Sequence, residues 1–141
     1  MVSSRYFKEY KQNEISTSSQ GKLILMMYEG AIRFTQMAIQ CLDQGDLAGK
    51  GLYIRKTHDI INELSVSLDL KKGGEVAARL ETLYNFALSQ LTRANIKSDR
   101  QALESILKVL KPLHEAWEHL FQTPAPPQDS SPPSKNITSR C

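Results

Sequence analysis

The residues that could do chemistry in this 141-residue chain are few, and their spacing is unhelpful to it. His114-Glu-Ala-Trp-Glu-His119 comes nearest to a motif. A helical zinc site of the protease type needs histidines at i and i+4, on one face. These two are five apart, roughly 140° round a helix, and are not expected to share a metal. His58 could accept a phosphoryl group, but the positions where a Lys-Gly pair would hold the phosphoryl oxygens are Ile61 and Asn62. Gly73-Gly74 follows no strand and precedes no Gly-Lys-Ser/Thr, so it is no phosphate loop and reads as a turn needing positive φ. Cys41 lacks a histidine partner and reads as a small hydrophobe. Glu115 and Glu118 fall on an expected outer face. Lys71, Lys72, Arg93, Lys97 and Arg100 lie near helix ends without interleaved aromatics, which argues against nucleic acid. No catalytic residue, metal ligand or cofactor is expected.

The elements left to explain are those of one soluble domain. Eighteen Lys and Arg against fifteen Asp and Glu give a net charge of +3, too mild and too evenly spread to imply a polyanionic partner. Cys41 and Cys141 form no framework, which fits a reduced compartment. The longest wholly apolar run, Leu23 to Tyr28, falls far below the ~20 residues of a membrane span, and no signal peptide opens the chain. A cytoplasmic location without membrane insertion is the expectation. Asn136-Ile137-Thr138 is read as a chance sequon.

Punctuation then divides the chain. Proline is absent before Pro112, and five of the six prolines fall between 124 and 133. Residues 123–141 are therefore expected to be a disordered Pro/Ser-rich tail. Ser19 is expected to cap a helix to about Leu42, and Asp46 a second to about Leu70. Lys71-Lys72-Gly73-Gly74 would stop that second helix, its lysines suiting a C-terminus. A third would run from Glu75 to Lys97, and a fourth, capped by Ser98 or Asp99, to Gln122. Each spans ~35 Å, and no strand alternation intervenes. The pattern predicts an all-α, antiparallel up-down four-helix bundle over 19–122. Its seams would be Ile54, Ile61, Leu64 and Leu68; Val76, Leu80, Leu83 or Tyr84, Ala87, Leu91 and Ala94; and Leu103, Ile106, Leu110, Leu113, Trp117 and Leu120. Pro112 should kink the fourth helix, and Gly49 and Gly51 should delay the second.

The apolar pattern exceeds what a bundle needs. From Leu23 to Leu42 it covers nearly the whole circumference of the first helix. The second carries extra stripes, with Tyr53, Ile60 and Leu64 on one side and Leu52, Val66 and Leu70 towards another. A wide core with exposed leucines accounts for this, and so does a groove that receives an amphipathic helix. Residues 1–18 are polar except for Tyr6, Phe7, Tyr10 and Ile15, and such an arm could cover the groove reversibly.

An ordered set of residues also resembles the flagellar secretion chaperone FliS family. It comprises the run Ser19 to Phe34, His58 to Leu64 with Ser67-Leu-Asp69, Gly73-Gly-Glu-Val-Ala77, Leu83-Tyr84, Ala94-Asn95, Asp99 and Ala116-Trp117. Tyr6, Tyr10, Asn13 and Thr17 resemble that family's N-terminal arm. Gln20, where the family has proline, departs from the pattern, as do Gly51, Thr57 and Phe86, and Pro112 and the tail are additions. The resemblance implies a cytoplasmic, non-enzymatic chaperone. It would bind flagellin's disordered C-terminal segment, block premature polymerisation and present the subunit to the flagellar type III export gate. Other flagellar regulatory proteins are conceivable further partners. The expected ligand surface is Leu52, Tyr53, Ile60, Leu64, Val66 and Leu68 with Leu80, Leu83 and Phe86, while Tyr6, Phe7 and Tyr10 form the cover and Trp117 belongs to the core. Asp in place of Ile60 or Leu83 should weaken binding without loss of helix. The alternatives are a histidine phosphotransfer protein acting through His58 and a self-associating adaptor.

Overall fold

A computed structural model describes residues 17–122, so the expected arm with Tyr6, Phe7 and Tyr10, and the tail, lie outside the described residues. Four helices follow in order: α1 (Thr17–Asp43), α2 (Leu47–Val66), α3 (Leu70–Lys97) and α4 (Arg100–Gln122). Each helix packs on its neighbours around a square, α1 on α2 and α4, and α3 on the same two. The chain is the all-α four-helix bundle that the pattern predicts. Tyr28, Ala31, Ile61, Ala87, Leu91, Leu103, Ile106 and Leu110 are sealed in the core. Ile24, Met27, Ile32, Ile39 and Leu42 pack round them from both flanks of α1. Because α1 lies close against two neighbours, most of its wide apolar girth is spent on packing; among its larger apolar side chains only Met26 is strongly exposed.

Local chemistry sets the boundaries, and several differ from expectation. Helix α1 begins at Thr17, so Ser19 lies within it and is not its cap. Asp46 does cap α2, its carboxylate accepting from the Gly49 N–H at 2.9 Å. A Cβ at position 49 would stand 2.4 Å from that carboxylate and 2.7 Å from Cys41 Sγ. Glycine thus allows the cap to close, and α2 starts at once instead of late. The same helix ends at Val66, four residues before the expected Leu70, where Ser67 Oγ returns a hydrogen bond to the Leu64 carbonyl at 2.8 Å.

The lysine-glycine run is not a helix stop. Asp69 accepts from the N–H groups of Lys71 (3.2 Å) and Lys72 (3.0 Å), which makes Leu70–Gly73 the opening turn of α3. The two lysines therefore sit at a helix start, where their charge gains nothing from the macrodipole. The break falls at Gly74, whose φ of 55° and ψ of −131° divide that turn from the rest of α3. Glycine alone adopts such a conformation without strain.

At the far end Ser98 closes α3 in a left-handed conformation (φ 52°). Asp99 caps α4, accepting from Gln101 and Ala102 N–H at 3.0 and 3.3 Å. Helix α4 runs unbroken through Pro112, which lies on its exposed side. Two seam positions prove exposed, Val76 at 67% and Leu120 at 62%, and Tyr84 rather than Leu83 faces the core. The departures Thr57 and Gly51 are absorbed. Thr57 is fully buried, its hydroxyl donating to the Tyr53 carbonyl at 3.0 Å while Thr35 Oγ1 reaches it at 3.4 Å. Gly51 faces Asn95, whose Oδ1 lies 3.8 Å from where a Cβ would stand, an ordinary contact that does not demand glycine.

One exposed cluster joins α1 to α4. Arg100 holds Asp43 through Nε–Oδ1 and Nη2–Oδ2 at 2.9 and 3.1 Å, and also pairs with Glu104. Hydrogen bonding to Arg100 draws the Asp43 carboxyl below its ordinary value, and hydrogen bonding to Arg93 does the same for Asp99. A carboxylate depressed in the folded state supports folding above its unfolded pKa, and that support is lost as pH falls through the folded value. Melting temperature should accordingly fall on acidification below about pH 4. Asp43→Asn should flatten that acid limb, and an acid limb identical to that of the unaltered chain would refute the assignment.

Candidate functional site

Among the described residues no three histidine, cysteine or carboxylate side chains are grouped so as to hold a metal ion. His58 is exposed on α2, its Nδ1 4.0 Å from the Asp59 carboxylate. His114 Nε2 lies 3.2 Å from Glu29 Oε2 and ties α4 to α1. Cys41 is half-buried beside the Asp46 cap. Burial, followed by the charge of Asp46, raises its thiol above the ordinary value, so it is a poor nucleophile.

The feature that remains is an apolar cleft of about 280 Å³. It lies at the end of the bundle where α1 begins, α2 passes to α3, and α4 ends. Ile24 of α1, Leu64 and Leu68 at the end of α2, Val76, Ala77, Leu80 and Tyr84 of α3, and Trp117 of α4 line it, with Ser67, Asp69 and Gly73 at the turn. It adjoins the end of α2 and the turn before the Gly74 break.

Two of its lining residues, Tyr84 and Trp117, belong to a hydrogen-bonded aromatic cluster with Tyr28. The hydroxyls of Tyr28 and Tyr84 are 2.5 Å apart, although the two residues belong to different, non-neighbouring helices. The side chain of Trp117 also hydrogen-bonds to Tyr28. Burial raises both phenols above their ordinary value, and Tyr28 raises Tyr84 further, so both keep their protons at all physiological pH.

Of the nine residues expected to form the ligand surface, Leu64, Leu68 and Leu80 meet in this cleft. Leu64 does so as a core residue, 2% exposed. Val66 is exposed at the end of α2, and Leu83 and Phe86 are exposed further along α3. Leu52 is exposed near the start of α2, while Tyr53 stacks on Phe34 with ring centres 5.9 Å apart. Ile60 is half-buried against α1, its Cδ1 3.3 Å from where a Gly30 Cβ would stand. Three of the nine therefore line the cleft, and the other six lie outside its lining. Ile24, Val76, Ala77 and Tyr84 also line the cleft without belonging to the expected surface: Val76 and Tyr84 stand in the expected seam of α3 and Ile24 in the apolar girth of α1, while the sequence assigns Trp117 to the core. Trp117 does pack on the core, and its other edge lines the cleft.

Fold and cleft together define the chain as a helical bundle with an apolar cleft at one end. The family is equally plain. The family model described as "Flagellar protein FliS" matches residues 2–124, and the chain belongs to that family. It is similar to the "Flagellar secretion chaperone FliS" of Salmonella typhimurium, 36% identical over 110 residues, which cover 77% of this chain and 82% of that one. The proteins of the same name from Campylobacter jejuni and Vibrio cholerae are 34% and 31% identical, covering 81% and 82% of this chain and 89% and 85% of their own. No helix among the described residues is long and apolar enough to cross a membrane.

Proposed function

We propose that this protein is a cytoplasmic, non-enzymatic flagellar export chaperone that binds the disordered C-terminal segment of flagellin. In that role it blocks premature polymerisation and delivers the subunit to the flagellar type III export gate. The observation that carries the reading is the apolar cleft on a bundle of the FliS family, continued outwards by the exposed Val66, Val76, Leu83 and Phe86. A disordered ligand must be ordered on binding, so its contact has to be long and largely apolar. One cleft supplies an anchor, and the exposed side chains of α2 and α3 supply further length. The segment with Tyr6, Phe7 and Tyr10 joins α1 at the cleft end of the bundle, and in this reading it covers the cleft until flagellin displaces it.

Calorimetric titration with a peptide of about 40 residues from the C-terminus of the same organism's flagellin tests this. Tight 1:1 binding with a large negative heat-capacity change is expected, the mark of coupled folding onto an apolar surface. No heat at several temperatures, with soluble and intact peptide, would refute it.

A further inference from the structure

Where α1 packs on α2, two cations from different helices meet over one ring. Arg33 Cζ lies 5.4 Å from the centre of the Phe34 ring, and Lys56 Nζ 5.5 Å from it. The ring itself stacks on Tyr53, with centroids 5.9 Å apart and planes inclined by 24°. Both rings are half-buried and both cations are exposed. None of the four residues lines the cleft, and Phe34 stands ten residues beyond Ile24, ~15 Å along the axis of α1. Like charges held close together repel, and a neutral ring attracts each cation without cancelling either. A carboxylate would cancel them, and each helix carries one a single turn away. Both are turned elsewhere. Glu29, four residues before Arg33, lies 3.2 Å from His114 Nε2, and Asp59, three after Lys56, lies 4.0 Å from His58. The fold therefore holds two positive charges side by side on a stacked aromatic floor, facing water.

We propose that this face is a second docking site, and that its partner is an acidic peptide segment with two adjacent carboxylates. Arg33 offers a planar fork that grips one carboxylate through two N–H groups, and Lys56 offers a point charge to the next. Contact with the ring restrains both side chains before the partner arrives, so less freedom is lost on binding. Charge complementarity alone admits a nucleic acid as well, and the rings decide against it. A single strand needs open ring faces for its bases and a row of cations along its backbone. Here Phe34 is covered by Tyr53 and by the cations themselves, and the cations that converge on it are a pair, not a row. The site shares no residue with the cleft and does not depend on the chaperone reading.

Two acetylated, amidated peptides test it: Gly-Ser-Asp-Glu-Ser-Gly and its amide counterpart Gly-Ser-Asn-Gln-Ser-Gly. They match in shape and differ in charge, and neither has an apolar side chain for the cleft. Each is titrated at low salt into the ¹⁵N-labelled full chain and followed by NMR. Saturable shifts are expected at Arg33, Phe34, Tyr53 and Lys56, with the Trp117 indole signal unmoved. The acidic peptide should bind about three- to tenfold more tightly, and about 0.5 M salt should erase that preference. Arg33→Gln combined with Lys56→Gln should abolish it too, with circular dichroism and melting temperature close to those of the unaltered chain, because both side chains are exposed. Equal binding of the two peptides would reduce the cations to braces between α1 and α2 and overturn the proposal. Shifts centred on Lys71 and Lys72 instead, or a preference that survives the paired glutamine substitutions, would overturn it as well. So would tighter binding of a thymidine hexanucleotide at the same four residues, which would make this face a nucleic-acid site.

Discussion

Val76→Asp should cut the affinity for the flagellin segment by roughly 30-fold or more and leave the melting temperature where it was. The two halves of that expectation come from one position. Val76 is 67% exposed although it lines the cleft, so an aspartate there stays in water in the free protein. It also stands just after the Gly74 break, where a new helical run begins and a carboxylate is electrostatically welcome. Valine and aspartate have similar helix propensities, so the backbone is indifferent to the change. Binding reverses this, because an apolar ligand would strip water from the new charge. Ile60→Asp should behave in the opposite way. Its side chain is half-buried against Gly30, so the charge falls between α1 and α2. A loss of about 2–4 kcal/mol and a melting point lower by roughly 10 °C are expected. Thermal melts and calorimetry of both variants decide it. A stable Ile60→Asp, or a Val76→Asp that binds normally, would show that the site lies elsewhere.

That contrast also marks how far the sequence could be read. Periodicity and capping residues identify the four helices and most of the core, because those signals are local: Asp46 and Asp99 announce their helices, and Ile61, Leu91, Leu103 and Leu110 repeat at helical spacing. The cleft is not local. Whether Val76 is a seam residue or a lip depends on where α2 stops, and that turns on Ser67 and Asp69 winning residues which the Lys-Lys-Gly-Gly run seemed to claim. The excess of apolar residues in α1 points to a binding face by count alone. In the fold it is consumed by packing on two sides, and the actual shortfall of cover is on α3. Tyr28 and Tyr84 are 56 positions apart, and nothing in either segment indicates that their hydroxyls meet. The FliS resemblance rests on an ordered series of residues, and it survived these errors because it does not depend on which face each residue occupies.

Lys50→Met should lower stability by about 2 kcal/mol and loosen one end of α3 before anything else in the molecule. Lysine is rarely buried, yet Lys50 is 5% exposed and its ammonium is spent on the end of a neighbouring helix. Nζ donates to the Asn95 carbonyl at 3.2 Å and to Ser98 Oγ at 2.8 Å. Those groups belong to the last turn of α3 and to its left-handed cap, where carbonyls lack partners within the helix. The charge also opposes the negative end of the helix macrodipole. Methionine keeps the stem's apolar packing and removes only the donors, so the loss reports the clamp itself. Relief from burying a charge offsets part of it, which sets the estimate near the middle of the ~1.5–3 kcal/mol range for charged hydrogen bonds. Position matters more than size. Helix α3 packs less closely on its neighbours than α1 does, and its other end is interrupted at Gly74 and lined by the cleft. Lys50 therefore fixes the end of α3 remote from the ligand, while the cleft end keeps freedom to adjust. Amide hydrogen exchange should quicken in Lys50→Met around Asn95 to Lys97, with α1 and the middle of α4 unchanged. Uniform acceleration through all four helices would mean that Lys50 supports the bundle as a whole, and a melting temperature equal to that of the unaltered chain would remove the clamp from the account.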